Sequence, residues 1–287
     1  MSALAGLILG SAIIQAAAAV SIAHEVVEPL CRVPVEWGGK VMPFERFAQE
    51  ALTTITGSRA PVHKDPMVDV LAIMAKPELW ADMPLMPING VDVRRQLGLR
   101  ASGLRVSASE LEASKLHDLL PSMLDKLQRR EALSPAEEEI FTLYLRWTFL
   151  QNLMSQEILL VPARDGWDSP WLPVLRPDGY HVAVQMRIKL FWSEFLQGIR
   201  EGDEIRARLA AERLAKLLHQ LEKDKQHSQP SSRYVLAAGQ GPLREAFLWM
   251  ASISALLAFS SGRKRSRIPR PQRPRSIVGA SAGGVRH

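Results

Sequence analysis

One cysteine, Cys31, in 287 residues excludes an internal disulfide and any cysteine-built metal centre. The lone thiol reads as an ordinary buried or interfacial side chain, with a reactive thiol as the alternative. Phosphate-cradling and cofactor-attaching signatures are missing too: there is no P-loop, no G-x-G-x-x-G and no C-x-x-C-H. "HEVVE" at His24 lacks the second histidine of a zinc-protease helix. A literal G-x-S-x-G, "GASAG" at Gly279–Gly283, is followed by one histidine, His287, and by no acid. It therefore lacks the strand, helix and acid that a nucleophilic serine requires. These absences predict a protein without a catalytic constellation and without a metal site.

Charge of one sign is missing from the end of the chain. From Arg263 onward there are Arg263, Lys264, Arg265, Arg267, Arg270, Arg273, Arg275 and Arg286, and no acid. The whole sequence carries a net charge of +6 from 36 basic and 30 acidic residues. Residues 1–262 are thus close to neutral, and the basicity belongs to a tail. That Pro- and Arg-rich tail has no aromatic residue on which bases could stack, so no nucleic-acid partner is expected.

Charge of either sign is absent from two further stretches. Ser2–Ala23 is uncharged throughout, long enough for a membrane helix of about 20 residues. Its "AAAAVSIA" end leaves a cleaved signal as the alternative to an anchor. Ala246–Gly262 is the second uncharged run, at the short limit for a span, with a buried core helix as its alternative. The basic block "RKRSRIPRPQRPR" follows it directly, and such flanks stay on the cytoplasmic side. The predicted organisation is an N-terminal anchor or signal over 1–23 and an extracytoplasmic domain over 24–243. A membrane segment over 244–262 and a basic, disordered cytoplasmic tail over 263–287 complete it.

The middle of the chain is mainly α by its periodicity. Pro43–Thr56 places Phe44, Phe47, Ala48, Ala51, Leu52 and Ile55 at helical offsets, and Gly57 is a natural stop. Gly38-Gly39 and Pro43 predict a bend that launches this helix. Asp65-Pro66 opens another helix. Ser134, Pro135 and Glu137 form a capping-box signature before Ile140, Leu143, Tyr144, Trp147 and Leu150. "RIKLFWSEFLQGI" predicts a shorter helix, and "DEIRARLAAERLAKLLHQLEKDK" a long one with Ile205, Leu209, Leu214, Leu217, Leu218 and Leu221 on its apolar side. Only "EILLVPA" and "YHVAVQM" read as strands, so at most a small β-hairpin is expected. "ADMPLMPINGV" and "ARDGWDSPWLPVLRPDGY" read as loops.

Trp37, Trp80, Trp167 and Trp171 lie in or beside loops, where an apolar ring with a polar N–H suits a ligand shelf, a domain edge or a membrane interface. Core packing is the default for Trp80 and Trp147. "GWDSPW" is the local candidate for a recognition loop. A haem iron takes imidazole ligands, and His24 and His63 are the candidates among seven scattered histidines.

The motif P-V-x-x-G-G-K-V-x-P-F-x-x-F-A-x-E, carried by Pro34, Gly39, Lys40, Pro43, Phe44, Phe47, Ala48 and Glu50 with Ile55 and Gly57 beyond, resembles one in the system II (Ccs/Res type) cytochrome c biogenesis proteins. Three further stretches are similar in the same order: "KDPMVDVLAIMAKPELWADMPLMPI", "EALSPAEEEIFTLYLRWTFLQN" and "ILLVPARDGWDSPW". Together they cover most of residues 34–225, the family's extracytoplasmic domain. Glu45-Arg46 stand where the family often has Asp-Thr, and the multi-span domain with its Trp-rich haem loop has no counterpart here. The resemblance thus implies either a stand-alone version of the extracytoplasmic domain, with the haem-handling membrane part on another chain, or a truncated gene product.

The resemblance implies a membrane-anchored accessory of c-type cytochrome assembly at a bacterial inner membrane. Its implied partners are a multi-span haem-handling membrane protein and apocytochrome c, with haem reached through that partner. Implied interaction residues are Trp37, Gly39, Lys40, Pro43, Phe44, Trp80, Trp167 and Trp171. A generic envelope interaction domain unrelated to haem is the alternative.

Overall fold

The computed structural model describes residues 22–58, 65–100, 103–163 and 171–227. The two apolar runs expected to cross a membrane and the basic tail lie outside them, apart from Ile22 and Ala23. Among the described residues no helix is long and apolar enough to cross a membrane. What is described is mainly helical, as the periodicity predicts.

The chain enters through α1 (His24–Cys31), which buries Val26, Val27, Leu30 and Cys31. β1 (Pro34–Trp37) and β2 (Lys40–Pro43) then pair in register, Pro34 opposite Pro43 and Trp37 opposite Lys40. The expected bend is thus a two-residue β-hairpin. Gly38 and Gly39 have φ of +58° and +75°, the left-handed pair that a type I′ turn demands and that glycine adopts freely. α2 (Phe44–Thr56) starts directly after Pro43 and buries all six residues of its predicted apolar face. It stops at Gly57, whose φ of +66° turns the chain while its N–H donates to the Thr53 carbonyl oxygen at 2.9 Å.

α3 (Pro66–Ala75) is the central helix, buried at every position from Met67 to Ala75. Asp65 caps it, accepting from the Met67 N–H at 2.8 Å, with Pro66 in the first turn. α4 (Pro77–Ala81), β3 (Met86–Pro87), α5 (Val91–Leu97), β4 (Arg105–Val106), α6 (Ala108–Glu112) and α7 (Leu116–Gln128) follow. They lead into α8 (Pro135–Met154), which opens on the predicted capping box of Ser134 and Glu137.

β5 (Leu159–Val161) and β6 (Leu172–Pro173) complete an antiparallel sheet of order β2-β1-β5-β6, while β3 and β4 form a separate ladder. The expectation of at most one hairpin is therefore corrected. β3 and β6 are two-residue strands inside stretches read as loops, too short to show any alternation.

α9 (Val182–Glu201) and α10 (Glu204–His227) form an antiparallel helical pair joined at Gly202 and Asp203. "YHVAVQM", expected as a strand, is instead the start of α9. His181 caps it, accepting from the Ala183 N–H at 3.3 Å. The predicted apolar side of α10 is also corrected: Ile205 and Leu209 are 76% and 47% exposed. The buried side is built from Ala207, Ala210, Ala211, Leu214, Ala215, Leu218 and Leu221. Small residues take the interface because the two backbones approach closely: a Cβ on Gly198 of α9 would stand 2.8 Å from the Ala207 nitrogen.

Candidate interaction surface at the glycine hairpin

The hairpin is fastened from beneath. Trp37, half-buried, sets its ring edge-on to Phe47 at a centroid distance of 5.5 Å and tilted against Phe149 at 4.5 Å. Phe47 also meets Phe44 at 5.8 Å and Phe149 at 6.5 Å. Aromatic pairs in such edge and tilted arrangements each contribute about 0.5–1.5 kcal/mol beyond their buried area. The cluster thus ties β1 and its sequence neighbour α2 to Phe149 of α8, more than a hundred residues further along the chain. On the other face of β1, the Glu36 carboxylate accepts from the Trp171 backbone N–H at 3.0 Å.

What this foundation presents outward is the Gly38-Gly39 tip with Lys40, Val41 and Pro43, all exposed. β2 is an edge strand. Lys40 places a charge on that edge, and Pro43 removes a donor from it, so indiscriminate strand addition is disfavoured. Val41 is 56% exposed and offers an apolar contact beside the cation.

The expected interaction residues divide accordingly. Gly39, Lys40 and Pro43 are at the surface and Trp37 and Trp171 are half-buried, whereas Phe44 and Trp80 are core residues, 0% and 2% exposed. A side chain so enclosed contributes to a surface only by holding it in place. Trp167 and His63 lie outside the described residues.

His24, expected as a haem ligand, sits at the start of α1 with its Nδ1 on the Asp65 carboxylate. Asp65 also caps α3, so one carboxylate joins the starts of two helices. Donation of the His24 Nδ1–H to the Asp65 carboxylate raises the His24 pKa above its ordinary 6.5, with smaller contributions from the charges of Asp65, Glu45 and Glu28. The ring is largely exposed, with a side-chain exposure of 56%. Among the described residues no group of three or more His, Cys, Asp or Glu side chains could hold a metal ion. Cys31 is buried, its thiol donating to the Val27 carbonyl oxygen at 3.7 Å. Burial, reinforced by the charges of Glu45, Asp65 and Glu28, pushes its pKa up to about 11. A thiol so held is a weak nucleophile.

A second charged region was not legible in the sequence. Arg105 donates to the carbonyl oxygens of Thr56 (3.2 Å) and Leu85, placing a cation at the negative end of α2. Arg146 lies against Gly57 beside it, and burial together with the Arg105 charge lowers its pKa. Glu139, two turns earlier on α8, accepts from the N–H groups of Asn89 (2.5 Å) and Gly90 (3.2 Å) at the start of α5. Arg94, 6% exposed, donates to the carbonyl oxygens of Arg100 (3.0 Å) and Arg105 (3.2 Å). Arg105 and Glu139 satisfy backbone groups at helix ends and Arg94 satisfies carbonyls beyond α5, from positions with no motif to announce them. Compared with known proteins, the chain matches no family model and no curated protein.

Proposed function

We propose that this chain is a membrane-anchored accessory of c-type cytochrome biogenesis that positions partners and leaves haem ligation and attachment to another subunit. The single observation that carries this reading is the ordered set of motifs from Pro34 to Trp171, headed by the stretch Val35–Gly57. The architecture supports a positioning role. That stretch is a rigid hairpin and capped helix, held on an aromatic cluster that includes Phe149 of α8. Lys40 and Val41 stand out from it into solvent.

In this reading residues 24–243 lie on the extracytoplasmic side of a bacterial inner membrane, and residues 263–287 in the cytoplasm. The hairpin edge receives apocytochrome c or a multi-span haem-handling protein, and any haem near this domain is held by that partner. Gene deletion is the test. It abolishes covalently bound haem in c-type cytochromes, read by peroxidase-active staining of denaturing gels, and the tagged chain co-purifies with a multi-span haem protein. Normal c-type haem staining after deletion overturns the proposal. Partners with no part in cytochrome assembly establish the envelope interaction domain instead.

A further inference from the structure

α9 is packed on one side only. Ile188, Trp192, Phe195, Leu196 and Ile199 are buried, and the helix rests on α10 and α3. On the opposite side of its first turns, Val182, Met186 and Leu190 are 63%, 65% and 51% exposed. A spacing of four advances each residue by about 40° around the axis, so the three make one slanting stripe. Lys189 falls on one flank of that stripe and Arg187 on the other. Both are exposed, and no ion pair holds either among the described residues.

The nearest acids along the chain stand outside it: Asp178 before the helix and Glu194 one turn after Leu190. Beyond Leu190 the same side continues as Ser193, Gln197 and Arg200, so the apolar character ends there. Single exposed apolar side chains are ordinary on a protein surface. A continuous stripe bracketed by two unpaired cations is a different object.

We propose that the first turns of α9 dock on an anionic phospholipid surface. Val182, Met186 and Leu190 enter the boundary between headgroups and acyl chains, and Arg187 and Lys189 reach the phosphates. Charge complementarity selects this occupant. A bilayer surface is apolar within and anionic at headgroup level, and long basic side chains beside an apolar stripe satisfy both layers at once. The inference goes beyond cytochrome assembly and takes from that reading only attachment to a membrane. Docking α9 would fix how the domain stands on the bilayer.

The test uses the full chain reconstituted with phosphatidylcholine vesicles, with or without phosphatidylglycerol. An environment-sensitive fluorophore is placed by Met186→Cys or, on the polar continuation of the same side, by Gln197→Cys. Buried Cys31 is left in place and the unsubstituted chain serves as the labelling blank. With phosphatidylglycerol present, the label at 186 shifts to the blue and is quenched by lipid-borne quenchers, while the label at 197 stays in water.

Each cation near an anionic surface strengthens attachment about five-fold. Arg187→Glu with Lys189→Glu therefore lowers the ratio of lipid-inserted to water-exposed label by at least about 25-fold. Equal exposure of the two labels in both vesicle types overturns the proposal. So does insertion at 186 that ignores lipid charge and the double substitution, or protection of 186 only when a partner protein is added. c-type haem staining of a strain carrying the double substitution is a separate readout, so failure of lipid docking and failure of the assembly role are distinguished.

Discussion

Gly198→Ala sets two well-characterised effects against each other. In an isolated helix the change is favourable, because glycine inside a helix costs about 1 kcal/mol relative to alanine. In this protein the new methyl would lie 2.8 Å from the Ala207 nitrogen, 2.9 Å from its Cβ and 3.0 Å from its Cα. Two of those three atoms are backbone, and the Ala207 N–H is already committed to the Asp203 carbonyl oxygen at 3.0 Å. No side-chain rotation relieves the contact, so α9 and α10 must part. Overpacking of this kind costs about 1–3 kcal/mol.

Subtracting the propensity gain leaves a net loss of about 1 kcal/mol, which lowers Tm by about 2–4 °C in a domain of this size. Thermal unfolding followed by circular dichroism at 222 nm reads the change. Ala207→Gly removes one of the three opposing atoms, so adding it to Gly198→Ala recovers only part of the loss. A Gly198→Ala protein that melts at or above the parent refutes the argument, since propensity would then dominate and the helices would separate at no cost.

Trp37→Ala removes a ring that contacts both Phe47 and Phe149 and is expected to cost about 3 kcal/mol in urea unfolding; a loss below about 1 kcal/mol contradicts the anchoring role given to it. Gly39→Ala meets no neighbouring atom, so its cost is the backbone strain at φ +75° alone, about 1–2 kcal/mol by the same measurement. Cys31, with its pKa raised to about 11, reacts with a thiol reagent near pH 8 far more slowly in the folded protein than in denaturant; equal rates exclude the burial described.

For His24, the folded-state pKa lies above the unfolded 6.5, so its contribution is full below 6.5 and fades as pH rises through the folded value. The stability difference between the parent and His24→Ala should accordingly be larger near pH 5 than near pH 9. Because the pair is exposed, that difference stays within about 1 kcal/mol; a larger difference at the alkaline end contradicts the sign.

Elements governed by neighbours in sequence were legible in it. The amphipathic period of α2, its stop at Gly57, the Asp65-Pro66 start of α3 and the Ser134–Glu137 capping box all rest on local chemistry, and the structure repeats them. The Gly38-Gly39 pair marked a turn, but whether it bends into a helix or closes a hairpin depends on the partner strand, and β1 has β5 on its other edge. α10 shows the same limit from the opposite direction. Its large residues Ile205 and Leu209 suggested the core side, yet its alanines occupy it. The space left by Gly198 admits a backbone and a methyl group, and no sequence pattern states that separation in advance.

The candidate surface divides along the same line. Local sequence marked Gly38-Gly39 and Pro43 as a bend, and the exposure of the tip follows from that. Only packing decides that Phe44 and Trp80 are interior and that Trp37 joins Phe149. Only packing, again, leaves Val182, Met186 and Leu190 without a covering element. Helix starts and stops are set within a few residues by caps, prolines and glycines. Which face of an element is covered is set by what the rest of the chain brings against it.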